Sequence, residues 1–206
     1  MRQKMRKVDI LRKSKETEIR VILNLDGTGR ARLNSGIGFL DHMLELFAFW
    51  GRFDLTITTK SADFKVDIHH ANEDLGIVLG SAFKQALGEK RGIKRNAFAA
   101  FPMEKTTAII VLDISGRPSF FLELEDKKNL TQVNAEAGYS LNSAEHFLEA
   151  FCKALGLNLN IILKSPSPDI HTTLEPLFKA LGKALSEAVE IDPRRKGVPS
   201  TKGIID

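Results

Sequence analysis

The sequence predicts an α+β protein made by internal duplication, each half a two-layer sandwich of a sheet against two helices. Three observations carry that prediction. Residues 16–27 (ETEIRVILNLDG) and 105–116 (KTTAIIVLDISG) match as alternating, β-branched runs that close on a turn glycine. Residues 39–50 and 144–155 both place apolar side chains at helical spacing. All five histidines fall in two matching contexts, Asp41-His42 then Asp67-Ile68-His69-His70-Ala71-Asn72-Glu73, and Glu145-His146 then Asp169-Ile170-His171-Thr172-Thr173-Leu174-Glu175.

Taken in order, 16–27 reads as a strand entering a hairpin, 39–50 as a helix and 54–59 as a strand. A second helix over 73–87 follows, entered through His69 and His70. The second half repeats this with a strand at 105–116, a helix at 144–155, a strand at 157–163 and a helix at 175–188. Gly80 then stands over Gly182 and Ala82 over Ala184. Each half reads roughly as strand, strand, helix, strand, strand, helix. The halves divide as 1–94 and 95–206 and are expected to form one compact unit. Residues 125–143 read as a polar loop inserted only in the second half. From Asp192 onward, DPRRKGVPSTKGIID has the composition of a frayed end.

At 206 residues the chain is long enough to bury a substantial core, and 43% hydrophobic with 27% charged residues is ordinary for a globular protein. No apolar run approaches the ~18 residues of a membrane span. The basic start lacks the ~7–15-residue apolar stretch of a secretory signal. A single cysteine, Cys152, excludes an intramolecular disulfide and fits a reducing, cytoplasmic setting. The formal charge of +4 suits anionic small molecules as well as nucleic acid.

The histidines point to a metal. On a helix, positions i and i+4 share a face, so His69 with Glu73, and His171 with Glu175, can each grip one ion. His70, about 100° further round, is free to serve a second ion or a second subunit. His42 and His146, each taken alone, read more readily as hydrogen-bonded core histidines than as metal ligands. Imidazole with carboxylate and no thiolate suits Mn²⁺, Fe²⁺ or Zn²⁺. Asp67 and Asp169 read as partners orienting the imidazoles, or as helix-start acids serving the macrodipole. Three basic turns favour an anionic substrate: Lys90 to Arg95, Ser115-Gly116-Arg117-Pro118 and Pro199-Ser200-Thr201-Lys202-Gly203.

With these residues in view, the chain closely resembles the imidazoleglycerol-phosphate dehydratase family from about Arg12 to Ile205. The matching segments are Glu16-Thr17, Gly38-Phe39-Leu40-Asp41-His42-Met43-Leu44, Asp67-x-His69-His70-x-x-Glu73-Asp74, Asp113-x-Ser115-Gly116-Arg117-Pro118, Glu187-Ala188-Val189-x-Ile191-Asp192-Pro193-Arg194-Arg195 and Pro199-Ser200-Thr201-Lys202-Gly203. The resemblance implies a duplicated fold of the ribosomal protein S5 domain 2-like kind and a 24-subunit assembly with active sites between subunits. It also implies two Mn²⁺ ions per site and loss of water from imidazole glycerol phosphate to give imidazole acetol phosphate, a step of histidine biosynthesis. By motif match, His42, His69, His70, Glu73, His146, His171 and Glu175 look like metal ligands. Of these, His42, His69, Glu73, His171 and Glu175 are expected to share the catalytic role with the acid/base carboxylate of Glu16. Arg95, Arg117, Ser200 and Lys202 look like the phosphate clamp. No nucleic-acid or membrane partner is implied.

The chain departs from the family pattern at several places. Thr172 stands where a second adjacent histidine is usual, and Pro102-Met103-Glu104-Lys105-Thr106 where Pro-x-Asp-Glu-Ala is usual. Asn96 and Ala97 replace an aromatic residue and a glycine, and Trp50 replaces a histidine. Thr172 is expected to leave one ion with three protein ligands, an open set of weaker affinity. Three readings follow: an active dehydratase with one weakened metal site, an impaired or altered-substrate relative that binds a phosphate ester with fewer metals, and a nucleic-acid binder. The last would use Arg2, Lys4, Arg6, Lys7, Arg12, Lys13 and Lys15, but it lacks a groove-reading motif or stacking aromatics.

Overall fold

The computed structural model describes residues 6–63, 67–125 and 135–205. Each half contains three strands, a helix, a strand and a helix. The first half is β1 (Lys7–Lys13), β2 (Thr17–Asn24), β3 (Ala31–Asn34), α1 (Gly38–Gly51), β4 (Asp54–Ala62) and α2 (His69–Leu87). The second is β5 (Asn96–Met103), β6 (Thr106–Asp113), β7 (Ser119–Leu124), α3 (Leu141–Leu155), β8 (Asn158–Lys164) and α4 (Ile170–Val189). The strand orders, β1-β2-β4-β3 and β5-β6-β8-β7, are identical, as a duplicated α+β fold requires.

The element order expected from sequence placed two strands before the first helix and two between the helices. The structure has three and one. The chain reading gave no strand at β1 or β5, which are the antiparallel partners of β2 and β6, and the strand that follows β2, β3, is four residues long and pairs parallel with β4 rather than in a hairpin. A parallel pair needs a crossover helix, and α1 supplies it, as α3 does between β7 and β8. So short a strand offers too little alternation to be read from the chain.

Each sheet turns its apolar face to its own two helices, and the two sandwiches meet helix to helix, α1 on α4 and α2 on α3. A run of phenylalanines stitches them together. Phe53 meets Phe83 edge to face at 5.0 Å, and Phe83 meets Phe151 of the other half at 5.7 Å. Glycine permits the close helix contacts. A Cβ at Gly76 or Gly80 of α2 would lie 2.5 Å from the carbonyl oxygen of Phe147 or Phe151 on α3, and Gly182 of α4 sits as tightly against Phe47 of α1. The repeat seen as Gly80 over Gly182 is therefore a repeat of one helix contact.

The inserted stretch falls partly outside the described residues. Its described end is ordered by packing: Tyr139 is fully buried, stacks on Phe39 at 5.2 Å and donates to Asn72 Oδ1. Ser140 caps α3, which begins at Leu141 rather than beyond Ser143. The tail is held as well. Asp192 N donates to Gly92 O, Gly92 N to Gly197 O and Arg95 N to Ala188 O. These backbone bonds, invisible to composition, fix the segment. No helix among the described residues is long and apolar enough to cross a membrane.

Candidate metal centre

Helices α1 and α4 run side by side in the same direction, which brings His42 of α1 against His171 and Glu175 of α4. His171 Nε2 lies 2.9 Å from Glu175 Oε2, and His42 Nε2 lies 3.8 Å from the same oxygen. One ligand atom from each residue falls within a 4.8 Å group. Two metal–ligand bonds of about 2.1 Å reach across about 4 Å, so small rotamer changes close this set on a divalent ion. Two imidazoles and a carboxylate are also the donors such ions take. The residues present fit the ion.

The internal repeat brings the corresponding residues together more loosely, since among the described residues only His42, His171 and Glu175 each place a ligand atom within 4.8 Å of the others. Helices α2 and α3 also run parallel, placing His69 Nδ1 3.1 Å from His146 Nδ1 and His69 Nε2 4.0 Å from Glu73 Oε2. Each cluster thus takes one histidine from one half and a His-x-x-x-Glu grip from the other. Their surroundings differ. The Glu175 side chain is 14% exposed, and Lys179 Nζ pairs with its second oxygen. Burial works to raise the Glu175 pKa, but hydrogen bonds from Lys179 and His171 outweigh it and the net shift is downward. Glu73 is half exposed and shares an open depression with Glu149 and Lys153.

His70 joins neither cluster. Its Nδ1 lies 3.7 Å from Glu16 Oε2, at the turn between β1 and β2. By the repeat, Lys105 and Thr172 occupy in the second half the positions that Glu16 and His70 hold in the first. The two departures from the family pattern therefore stand, by the repeat, at the positions of the two ends of the Glu16–His70 contact. Thr172 is buried and its hydroxyl donates to Asp169 Oδ2. Asp169 also accepts from the amides of His171 and Thr172, and Asp67 from the amide of His69. Both acids thus accept from backbone amides at helix starts, and among the described residues neither is hydrogen-bonded to an imidazole. The Thr172 hydroxyl, the largest effect, holds the Asp169 carboxyl below the usual range; burial opposes it and the amides of Thr172 and His171 add to it.

The phosphate candidates form a second group. Arg95 grips Asp113 through two bonds of 2.6 and 2.8 Å and donates to Pro199 O, next to Ser200. Lys202 N donates to Ser200 Oγ, and Arg117 stands exposed on the adjoining turn, its amide on Ser115 Oγ. This group lies at the C-terminal end of α4, while His171 lies at its N-terminal end. At 1.5 Å per residue that is about 25 Å. One chain brings together the metal candidates and, separately, the phosphate candidates. It does not bring the two groups to each other.

Three residues join the site that sequence reasoning passed over. Lys179 follows Glu175 by one helical turn, a spacing legible in the chain. Asp113 was seen only as a motif letter. Glu136, 3.8 Å from His171 Nδ1, arrives from the inserted stretch and carries no sequence signal. The basic N-terminus is largely occupied within the fold. Arg6 pairs with Asp26, Arg12 with Asp74 and Lys13 with Glu18, while Arg2 and Lys4 lie outside the described residues.

Fold and site together define an internally duplicated α+β protein with a histidine–carboxylate cluster, His42, His171 and Glu175, that could hold a metal ion. A profile described as imidazoleglycerol-phosphate dehydratase matches residues 35–185. The chain is 45% identical to the imidazoleglycerol-phosphate dehydratase of Thermoanaerobacter pseudethanolicus over 201 residues, covering 98% of this chain and all of that one. It is 44% identical to that of Pelobacter propionicus, covering 97% and 99%. Among solved structures, the enzyme from Staphylococcus aureus superposes with a TM-score of 0.75 at 28% identity, covering 90% of this chain and 99% of that one. The Pyrococcus furiosus enzyme, in complex with (S)-C348, gives 0.76 at 30%, covering 95% and 99%. The chain belongs to the imidazoleglycerol-phosphate dehydratase family, whose members are hydro-lyases.

Proposed function

We propose that this chain removes water from imidazole glycerol phosphate to give imidazole acetol phosphate, using two divalent cations, Mn²⁺ by expectation, in a site shared between copies of the chain. The observation that carries this reading is the His42/His171/Glu175 cluster, whose counterparts by the internal repeat, His146, His69 and Glu73, lie together on α2 and α3. A bound divalent cation supplies Lewis-acid polarisation of an azole ring. The chain's own groups do the rest. Glu16 Oε2, exposed and beside His70, takes a proton from a substrate carbon or returns one to a departing hydroxyl. Arg95, Ser200 and Lys202, with Arg117, hold the phosphate by charge-assisted hydrogen bonds. A three-carbon phosphate ester is far shorter than the length of α4, so the phosphate group of one copy must serve the clusters of another. That supports an assembly, expected to contain 24 subunits.

The test is turnover of imidazole glycerol phosphate after chelation and after Mn²⁺ is restored. Loss and recovery of product are expected. No product at saturating metal and substrate overturns the reading. A second reading, phosphate-ester binding with fewer metals, is favoured by Thr172, whose hydroxyl is committed to Asp169 and offers no ligand. Elemental analysis separates the two: two tightly bound ions per chain count against the second.

A further inference from the structure

The internal repeat sets Asn72 of α2 over Leu174 of α4, three residues after His69 and His171 and just before Glu73 and Glu175. Both side chains are buried, Leu174 at 0% and Asn72 at 1% exposure. The second half shows that a hydrocarbon packs at this position, so an amide there costs stability unless both its ends are hydrogen-bonded. In the first half both ends are bonded. Asn72 Nδ2 donates to Ser143 O on α3 at 2.7 Å, and Asn72 Oδ1 accepts from the Tyr139 hydroxyl at 3.1 Å. Ser143 precedes His146 by three residues, just as Asn72 follows His69 by three, so the amide joins α2 to α3 within one turn of each histidine. Those are the two rings whose Nδ1 atoms approach to 3.1 Å.

Tyr139 is itself fixed on every side. Its side chain is fully buried, and burial pushes the phenol pKa well up, so at neutral pH the hydroxyl stays a donor. Its ring stacks on Phe39 at 5.2 Å. Its backbone exchanges two hydrogen bonds with Glu136 across a two-residue turn in which Ala137 and Gly138 both have positive φ. The two clusters differ in what they need. In the first, where Leu174 takes the place of Asn72, the three ligand atoms fall within 4.8 Å and Lys179 pairs with Glu175. In the second, Glu73 is half exposed and 4.0 Å from His69 Nε2, so the spacing of α2 and α3 decides whether the three residues reach one ion.

We propose that Asn72 is the positioning residue of the second cluster: with its amide fixed by Tyr139, it clamps the first turns of α2 and α3 so that His69, His146 and Glu73 close on one divalent cation. The inference rests on the metal reading of that cluster given above.

The test combines Asn72→Leu with Tyr139→Phe in one protein. Replacing both partners by apolar groups of similar shape is expected to leave Tm close to that of wild type. Mn²⁺ titrations read by electron paramagnetic resonance follow each cluster separately. The second is read with His42→Ala and Glu175→Gln removing the first, and the first with His146→Ala and Glu73→Gln removing the second. Affinity is expected to fall about tenfold or more at the second cluster and to stay unchanged at the first. Tyr139→Phe alone, one oxygen smaller and with its ring still on Phe39, is expected to weaken the same cluster only, and it decides the matter should the double variant fail to fold. A lowered Tm with both affinities intact would mark a merely structural pair and overturn the proposal, as would an equal loss at both clusters. A wild type that binds two ions, beside variants that bind both as tightly, removes the Asn72 assignment alone. A wild type that binds no Mn²⁺ removes the metal reading and this inference together.

Discussion

Replacing Gly80 with alanine tests the helix contact on which the second cluster depends. The new Cβ would lie 2.5 Å from the Phe151 carbonyl oxygen and 2.8 Å from Ala154 Cβ, about an ångström short of ordinary contact. Both obstacles are parts of α3 that no side-chain rotation removes, so α2 and α3 must separate by nearly that amount. Overpacking of this kind costs about 1–3 kcal/mol. Alanine offsets about 1 kcal/mol through its better helix propensity. A net loss of up to about 2 kcal/mol lowers Tm by up to about 8 °C in a chain of this size. The same movement widens the 3.1 Å approach of His69 to His146, so Mn²⁺ affinity at that cluster falls as well. The assay is thermal unfolding of the metal-free protein at fixed concentration, followed by a Mn²⁺ titration read by electron paramagnetic resonance. Gly38→Ala is the control, because nothing lies within 4 Å of its Cβ and only the propensity effect remains. A Gly80→Ala protein stabilised over wild type as much as the Gly38→Ala control would refute the contact.

Glu175→Gln removes the carboxylate that both His42 and His171 face, and Mn²⁺ binding at that cluster is expected to weaken at least tenfold in a calorimetric titration. Unchanged affinity would remove Glu175 from the ligand set. Thr172→Ala deletes the hydrogen bond to Asp169 and is expected to cost about 1 kcal/mol in denaturant unfolding, with the metal content unchanged. A fall in bound metal would show instead that Thr172 is a ligand. Asp54 accepts from the amides of Thr28 and Arg30, which, Thr28 first, hold its pKa below the ordinary carboxylate value. Its stabilising contribution is therefore present above the unfolded value of about 3.9 and is lost as pH falls through the folded pKa. Calorimetry of Asp54→Asn from neutral to acid pH should show a flatter acid limb than wild type. Parallel curves would contradict the assignment.

Duplication was legible because two kinds of periodicity recur in the same order, and each has a local cause. Alternation marks a half-buried strand, and helical spacing of apolar residues marks a buried stripe. The His-x-x-x-Glu grips were legible for the same reason, since one helical turn joins the two residues. β3 was not, because a four-residue parallel strand draws its bonds from a distant partner. The roles of Asp67 and Asp169 were left open by the chain and settled by backbone amides. The tail escaped composition because what holds it is hydrogen bonding to residues 92–95 and the end of α4.

The sequence by itself determined the repeat, the α+β class, the donor types of the metal clusters and membership of a family, because these reside in local spacing and residue chemistry. Only the tertiary structure decided that each cluster is assembled across the two halves, with His42 meeting α4 and His146 meeting α2. It also decided that the Thr172 hydroxyl is taken up by Asp169, the residue that caps α4, and that the phosphate candidates lie a helix length away from the clusters. Those facts depend on which helix packs on which. That choice is made by close glycine contacts and a shared aromatic core between segments roughly seventy to one hundred and thirty residues apart, a separation at which local sequence pattern carries no information.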